Sequence, residues 1–411
     1  MKKNLVIGFV FCCVVGCIEP FEFETEAFED ALVIQASITN EMKQHHVVLS
    51  RAVRFEDTIA AAERSARVRV IDDSQNEFLF EEVQPGNYVS PPFEAQKNVN
   101  YTLVVETTDG TTYTSNPESF QAESEVTEVY AERETNAQGE DGISIFINGQ
   151  DTSGASAYYR YEYEETYKII APNWTSVDFK LTNYDPCALP VITYDLEIVP
   201  REEEEQVCYQ TLRSQEIIQN SSVGLSGSQV ERFPVRFIKG DDFILSHRYS
   251  ILVKQYVQSI DAFSYFQNLD NFSSNSSVFS EIQPGFLDGN ISAEANSDKK
   301  VLGYFEVASV SEKRLFFNYR EFYPDEPLPL YVNKCVLFST PLEHQSFCAP
   351  VRFPTGCPQS LIERIDKDLI TYVDANGANI GACPGPYIVV PRECGDCTAL
   401  GTNVVPAFWE E

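Results

Sequence analysis

The chain is poor in the residues that most catalytic and metal chemistry draws on: its 411 residues include only four histidines and two methionines. His-rich metal sites and Met-rich grooves are therefore hardly supplied. Positive charge is scarce as well, with 30 Lys plus Arg against 62 Asp plus Glu and a formal net charge of −32. A surface of that sign repels phosphate backbones, so no nucleic-acid partner is expected. It also keeps the body of the protein off anionic membrane surfaces. No apolar run reaches the ~18 residues of a membrane-spanning helix. No Gly-x-Ser-x-Gly elbow, His-Glu-x-x-His pair, Gly-rich phosphate loop or dinucleotide fingerprint occurs, and Gly224-Leu225-Ser226-Gly227 has the wrong spacing for the first of these. His45 and His46 adjoin on an expected strand, point to opposite faces and cannot both grip one ion. His247 and His344 stand alone in sequence. The carboxylates nominate no acid/base pair, and no EF-hand-like run is present. No catalysis, cofactor or metal is expected.

Hydrophobic residues make up 43% of the chain, enough for sizeable cores. At roughly 150 residues per domain the length suggests two or three domains. Lys2 and Lys3 precede an apolar run over 5–15, which is signal-peptide length and too short to span a bilayer. The run ends in Val14-Val15-Gly16-Cys17, a small residue followed by Cys that resembles a bacterial lipobox. The resemblance implies a signal peptide over 1–16, cleavage after Gly16 and lipidation of the Cys17 thiol. Each buried CH₂ contributes about 0.8 kcal/mol, so the usual three acyl chains hold essentially permanently. Residues 17–30 then read as an acidic tether, with Ile18-Glu19-Pro20-Phe21-Glu22-Phe23-Glu24-Thr25-Glu26 as an extended, solvated leash.

Of eleven cysteines, Cys12 and Cys13 leave with the signal and Cys17 carries lipid. The eight that remain are Cys187, Cys208, Cys335, Cys348, Cys357, Cys383, Cys394 and Cys397. An even number in an exported chain predicts a disulfide framework. Cys187 and Cys208 are expected to pair across the excursion between them, while the other six leave their connectivity open. Cys394-Gly395-Asp396-Cys397 lacks a redox βαβ context or a second metal-binding pair, so structural bridges are expected there too.

The hydrophobic pattern is overwhelmingly β. Leu32, Ile34, Ala36 and Ile38 share one face, Val68 and Val70 alternate with arginines, and Tyr101, Leu103 and Val105 alternate with polar residues. Pro85-Gly86-Asn87-Tyr88 and Asp109-Gly110 supply turns. These strands predict an N-terminal β-sandwich over 31–120. A second sandwich with insertions is expected over 121–330. Ile143, Ile145 and Ile147 line one face of it, and Tyr159, Tyr161 and Tyr163 are assigned to its core, alternating with Arg160, Glu162 and Glu164. Further strands are read at 233–238, 249–256, 301–308 and 314–319. Ser259-Ile260-Asp261 starts a helix carrying Ala262, Phe266 and Leu269 at helical spacing, with a polar loop expected over 271–277. Residues 331–411 read as a Cys-rich, stapled C-terminal segment. The expected fold is thus all-β: two antiparallel, immunoglobulin- or fibronectin-like sandwiches, one short helix and a disulfide-rich end.

Several segments together carry a family resemblance. They are the lipobox with its acidic leash, Leu32-Val33-Ile34-Gln35-Ala36-Ser37-Ile38-Thr39, Val47-Val48-Leu49-Ser50-Arg51 and Asn148-Gly149-Gln150-Asp151. Tyr249-Ser250-Ile251-Leu252-Val253-Lys254-Gln255-Tyr256, Val301-Leu302-Gly303-Tyr304-Phe305 and the ending from Cys394 to Trp409 complete it. The chain resembles the Bacteroidota lipoproteins called domain of unknown function 4249. It departs from the family's pattern at the tail, where Leu400-Gly401-Thr402-Asn403 and Val405-Pro406 replace Gly-Gly-Thr-Asn and Lys-Pro.

The resemblance implies outer-membrane anchoring through the lipid, facing the cell exterior. By the association of such proteins with TonB-dependent transporters, it also implies a non-catalytic accessory or binding subunit. A structural or adhesive surface lipoprotein is the alternative, and a surface hydrolase the third option. Aromatic-rich segments 249–256 and 263–272 and the pair Phe408-Trp409 are the candidate contact surfaces. Asp57-Thr58-Ile59 matches a short O-glycosylation pattern of exported Bacteroidota proteins.

Overall fold

Alternation of apolar and polar side chains builds most of the structure. The computed structural model describes residues 31–52, 61–120, 122–151, 157–188, 191–223, 229–274, 287–294, 299–343, 360–378 and 384–411. Cys17, Thr58, His344, Cys348, Cys357 and Cys383 lie outside these. In β1 (Leu32–Thr39) the residues Leu32, Ile34, Ala36 and Ile38 are buried, while Gln35 and Ser37 face out, as their period of two requires. β2 (His46–Arg51), β3 (Arg67–Asp72), β4 (Glu77–Gln84), β5 (Asn87–Val89), β6 (Tyr101–Glu106) and β7 (Thr112–Ser115) follow the same rule. They run β1-β2-β5-β4-β3-β6-β7 across the sheet, every neighbour antiparallel. Gly86 turns β4 into β5 at φ +72°, and a Cβ there would lie 2.5 Å from the Leu49 carbonyl oxygen. Only glycine fits that turn.

A three-stranded sheet follows from β8 (Ser124–Thr135), β9 (Asp141–Asp151) and β15 (Gln229–Lys239). β10 (Tyr158–Ile170) pairs with β13 (Val207–Arg213), β14 (Ile218–Ser221) and β16 (Arg248–Gln258). Between β10 and β13 the chain makes a separate hairpin, β11 (Val177–Asp185) and β12 (Thr193–Pro200). Tyr159, Tyr161 and Tyr163 face inward, packed with Ile143, Ile145 and Ile147 of β9 in one core.

α1 (Ile260–Ser274) starts where the sequence places it, with the Ser259 hydroxyl accepting from the Ala262 amide at 3.1 Å. It runs to Ser274, through the positions read as a polar loop, because Phe272 continues the stripe of Ala262, Phe266 and Leu269. β17 (Ile291–Ala293) then pairs with β7, and β18 (Val301–Asn318) follows.

β18 joins the two halves. Its first half runs parallel to β1, from Leu32 opposite Val301 to Thr39 opposite Ala308. Its second half runs antiparallel to β16, from Val257 opposite Ser309 to Arg248 opposite Asn318. Among the described residues this makes one 13-stranded sheet instead of two separate antiparallel sets. The first core accordingly takes Ile291, Val301, Phe305 and Val307 from far along the chain. Gly303 makes the parallel pairing possible: its φ is +140°, and a Cβ would come within 2.0 Å of the Ile34 carbonyl oxygen.

The chain closes with short helices α2 (Tyr319–Phe322), α3 (Leu361–Asp366) and α4 (Arg392–Gly395) and the hairpin β19 (Ile370–Ala375) and β20 (Tyr387–Pro391). The single short helix expected from sequence is thus α1 joined by three helices of four to six residues. Leu361, Ile370 and Val389 form a small core against Phe179 and Leu196 of the β11–β12 hairpin.

Among the described residues two disulfides staple this region, Cys208–Cys397 and Cys335–Cys394. The expected Cys187–Cys208 pairing is therefore corrected. Cys208 stands on β13 with its side chain fully buried, and Cys397 meets it there. Cys187 sits exposed beyond the end of β11 and bonds no described cysteine. Reading the bridge from sequence proximity failed because the excursion folds as its own hairpin and carries Cys187 away.

Candidate binding cleft

Where α1 crosses the outer face of the shared sheet it leaves a cleft of about 600 Å³. That size is ordinary for a small-molecule site. Its floor is the solvent-side face of β1, β2 and β18: Val33, Gln35 and Ser37, then His46 and Val48, then Leu302, Tyr304 and Glu306. These side chains point away from the first core because residues two apart share a face, and Leu32, Ile34 and Ala36 already occupy the inner one. The roof is Tyr265, Phe266, Leu269 and Phe272 of α1, with Leu287 beyond it. Tyr265 anchors the helix by packing on Tyr304, ring centroids 5.3 Å apart.

At one end the cleft reaches charge. Arg160 of β10 is only 9% exposed and Glu306 of β18 only 2%. The Arg160 Nη2 donates to Glu306 Oε2 at 2.7 Å, and its Nη1 donates to Glu162 Oε1. Gln258 Nε2 donates to the other oxygen of Glu306 at 2.7 Å, and the Tyr256 hydroxyl donates to Glu162 Oε2 at 3.1 Å. The guanidinium also lies over the rings of Tyr256 and Phe266, at 4.4 and 5.0 Å from their centroids. Burial opposes the Arg160 charge, but Glu306 and Glu162 more than offset it and raise its pKa. Burial likewise pushes Glu162 up, yet the Arg160 charge and hydrogen bond hold its carboxyl below the ordinary range. One guanidinium thus faces two carboxyl groups at this end of the cleft.

Beside the cleft, Glu118 accepts from the Tyr304 hydroxyl at 2.7 Å and from Asn290 Nδ2 at 3.0 Å. Burial raises its pKa. Asn290 also bonds both backbone groups of Phe305, so this cluster pins β18 under the helix.

Of the other residues singled out by sequence, some line the cleft and the rest fall elsewhere. His45 is buried, its Nε2 2.9 Å from the Phe93 carbonyl oxygen, while His46 stands exposed at the cleft rim. Of the aromatic segments, Tyr249 and Tyr256 are core, 263–272 roofs the cleft, and Trp409 packs edge-on against Tyr209 and Phe316. Among the described residues no three His, Cys, Asp or Glu side chains are placed to hold a metal ion. No described helix is long and apolar enough to cross a membrane. Arg160 is the residue that sequence reasoning passed over: alternation put it opposite the tyrosine face and therefore in water. Its signal was a basic residue in so acidic a chain, on a strand with Glu162 two positions on, but the cover supplied by α1 is not a local pattern.

A family model described as a domain of unknown function, DUF4249, matches residues 18–314. Those bounds take in every residue that lines the cleft. No curated protein matches the chain.

Proposed function

The chain belongs to the DUF4249 family, and from that premise we propose that it is a surface-exposed outer-membrane lipoprotein of Bacteroidota type. Anchored through Cys17, it serves as a non-catalytic accessory or binding subunit of a TonB-dependent nutrient transporter. The observation that carries this reading is the cleft. Its walls are apolar and aromatic, and its charged groups are already committed to one another, which suits holding a molecule better than transforming one. The two cores act in this reading as immunoglobulin- or fibronectin-like sandwiches that present the cleft at their junction. The lipid and the acidic leash over 17–30 keep the protein beside its transporter. Confinement to one membrane raises the effective concentration of both partners, so a modest contact area suffices.

The test is affinity capture of the tagged protein from gently solubilised outer membranes, with partners identified by mass spectrometry. A stoichiometric TonB-dependent barrel is expected. Recovery of the protein alone across several detergent and salt conditions would overturn the accessory role and leave the structural or adhesive reading. Protease treatment of intact cells should remove the protein, and full protection would place it on the periplasmic face.

A further inference from the structure

Acids outnumber bases two to one in this chain, with 62 against 30, yet one pocket reverses the balance. Lys168 of β10, His247 just before β16, Arg248 at its start and Arg320 of α2 line a space of about 460 Å³. Among the described residues Glu411 is the only acid on its wall. The pocket is separate from the cleft, because Lys168 lies along β10 from Arg160 by roughly 26 Å at the ~3.3 Å rise of a strand residue. One carboxylate already shows what the pocket accepts. Lys168 Nζ donates to both oxygens of Glu411, at 3.0 and 2.9 Å, and the Tyr209 hydroxyl donates to Oε1 at 3.5 Å. The Lys168 hydrogen bond and charge, aided by Tyr209 and the Arg248 charge, outweigh burial and lower the Glu411 pKa. Glu411 does not use up the site. Its side chain is 70% exposed, and an ion pair so open holds weakly. Arg248 commits only its Nε, to the Glu410 carbonyl oxygen, while its guanidinium lies over the Phe316 ring. Its Nη1 and Nη2 and the His247 ring nitrogens have no hydrogen-bond partner among the described residues, and none of these atoms is enclosed. Two open N–H groups on one guanidinium match the two oxygens of a carboxylate.

We propose that this pocket is a binding site for a small organic acid, which presents its carboxylate to Arg248 and His247 beside Glu411. The inference goes beyond the accessory role and does not depend on it. The full-length protein in phosphatidylcholine nanodiscs would be titrated calorimetrically with succinate, with empty nanodiscs as blank. Succinamide and inorganic phosphate would serve as the uncharged and the inorganic comparisons. Saturable binding of succinate in preference to both is expected. Arg248→Gln should weaken it at least about tenfold. Glu411→Gln, which removes a competing carboxylate and releases Lys168, should tighten it about threefold. Glu81→Gln, the same change of net charge on exposed β4, should leave it unchanged. Glu411 is exposed, so its variant decides should Arg248→Gln fail to fold. Absence of saturable binding, equal binding of succinamide or phosphate, or a folded Arg248→Gln that binds as before would overturn the proposal. So would a Glu411→Gln that tightens nothing, or a Glu81→Gln that tightens binding as much.

Discussion

The two cores on either side of β18 are packed from the same apolar materials and differ in the charge they bury. The first sets Leu32, Ile38, Leu49, Val68, Val70 and Leu103 beside Tyr88, Tyr101, Tyr113 and Phe305. The second sets Ile143, Ile145 and Ile147 beside Tyr159, Tyr161, Tyr167 and Tyr249, and it also buries an ion pair. Glu165, only 4% exposed, receives Arg236 through two hydrogen bonds of 3.1 Å and the Tyr249 hydroxyl at 2.5 Å. Arg160 and Glu306 repeat the device at the junction. Apolar packing asks only for shape and volume, whereas a buried ion pair asks that every polar atom be met. The second therefore tolerates less change, yet it can present matched charge at its border. The cleft lies at that border, with apolar walls from one side and charge from the other.

Four substitutions or titrations would break or sharpen this contrast. Gly303→Ala should have the largest effect, because it sets a methyl against the Ile34 backbone where both cores share β18. A loss upwards of about 5 kcal/mol in urea-unfolding stability is expected. Glu306→Ala comes next, leaving the Arg160 guanidinium without its fully buried partner. It should cost about 3–5 kcal/mol, while replacing the pair together by apolar residues should cost far less.

The third is a pH effect seated in the first core. Burial, against the opposing hydrogen bond to Phe93 and together with the charge of Lys43, lowers the His45 pKa from 6.5 to about 4. Between those values the unfolded chain binds a proton that the folded chain refuses. Stability is then complete above pH about 6.5 and falls as the pH drops toward about 4, by up to about 3 kcal/mol. His45→Phe should flatten most of that slope in denaturant melts taken across the window. His247, also lowered by burial and by Lys168, leaves a shallower slope of the same sign. The smallest effect belongs to Ile34→Val, which trims one methylene from the first core and should cost about 1 kcal/mol. A loss as large as that of Glu306→Ala would erase the distinction between the cores.

Much of this was legible locally. The inward face of β1, the turns at Gly86 and Gly110, the tyrosine face of β10 and the start of α1 all follow from alternation, turn chemistry and helix spacing. What was hidden depends on partners far apart in the chain. The expected strands over 301–308 and 314–319 are one strand. The polar stretch between them continues it, with Glu312 meeting Lys254 at 3.1 Å across the sheet. A strand that pairs parallel at one end and antiparallel at the other writes no distinct pattern in its own residues. The Cys208–Cys397 bridge, 189 residues apart, is hidden for the same reason, as is the burial of Arg160 under a helix that begins a hundred positions later.

The central claim is that β18 makes the two cores one body and places the cleft at their seam. Native-state hydrogen exchange along Val301–Asn318 tests it most directly. Amides before and after Ser309 are expected to open together, with the same free energy and the same denaturant dependence. Two separate exchange classes dividing at Ser309, each tracking its own core, would contradict the account.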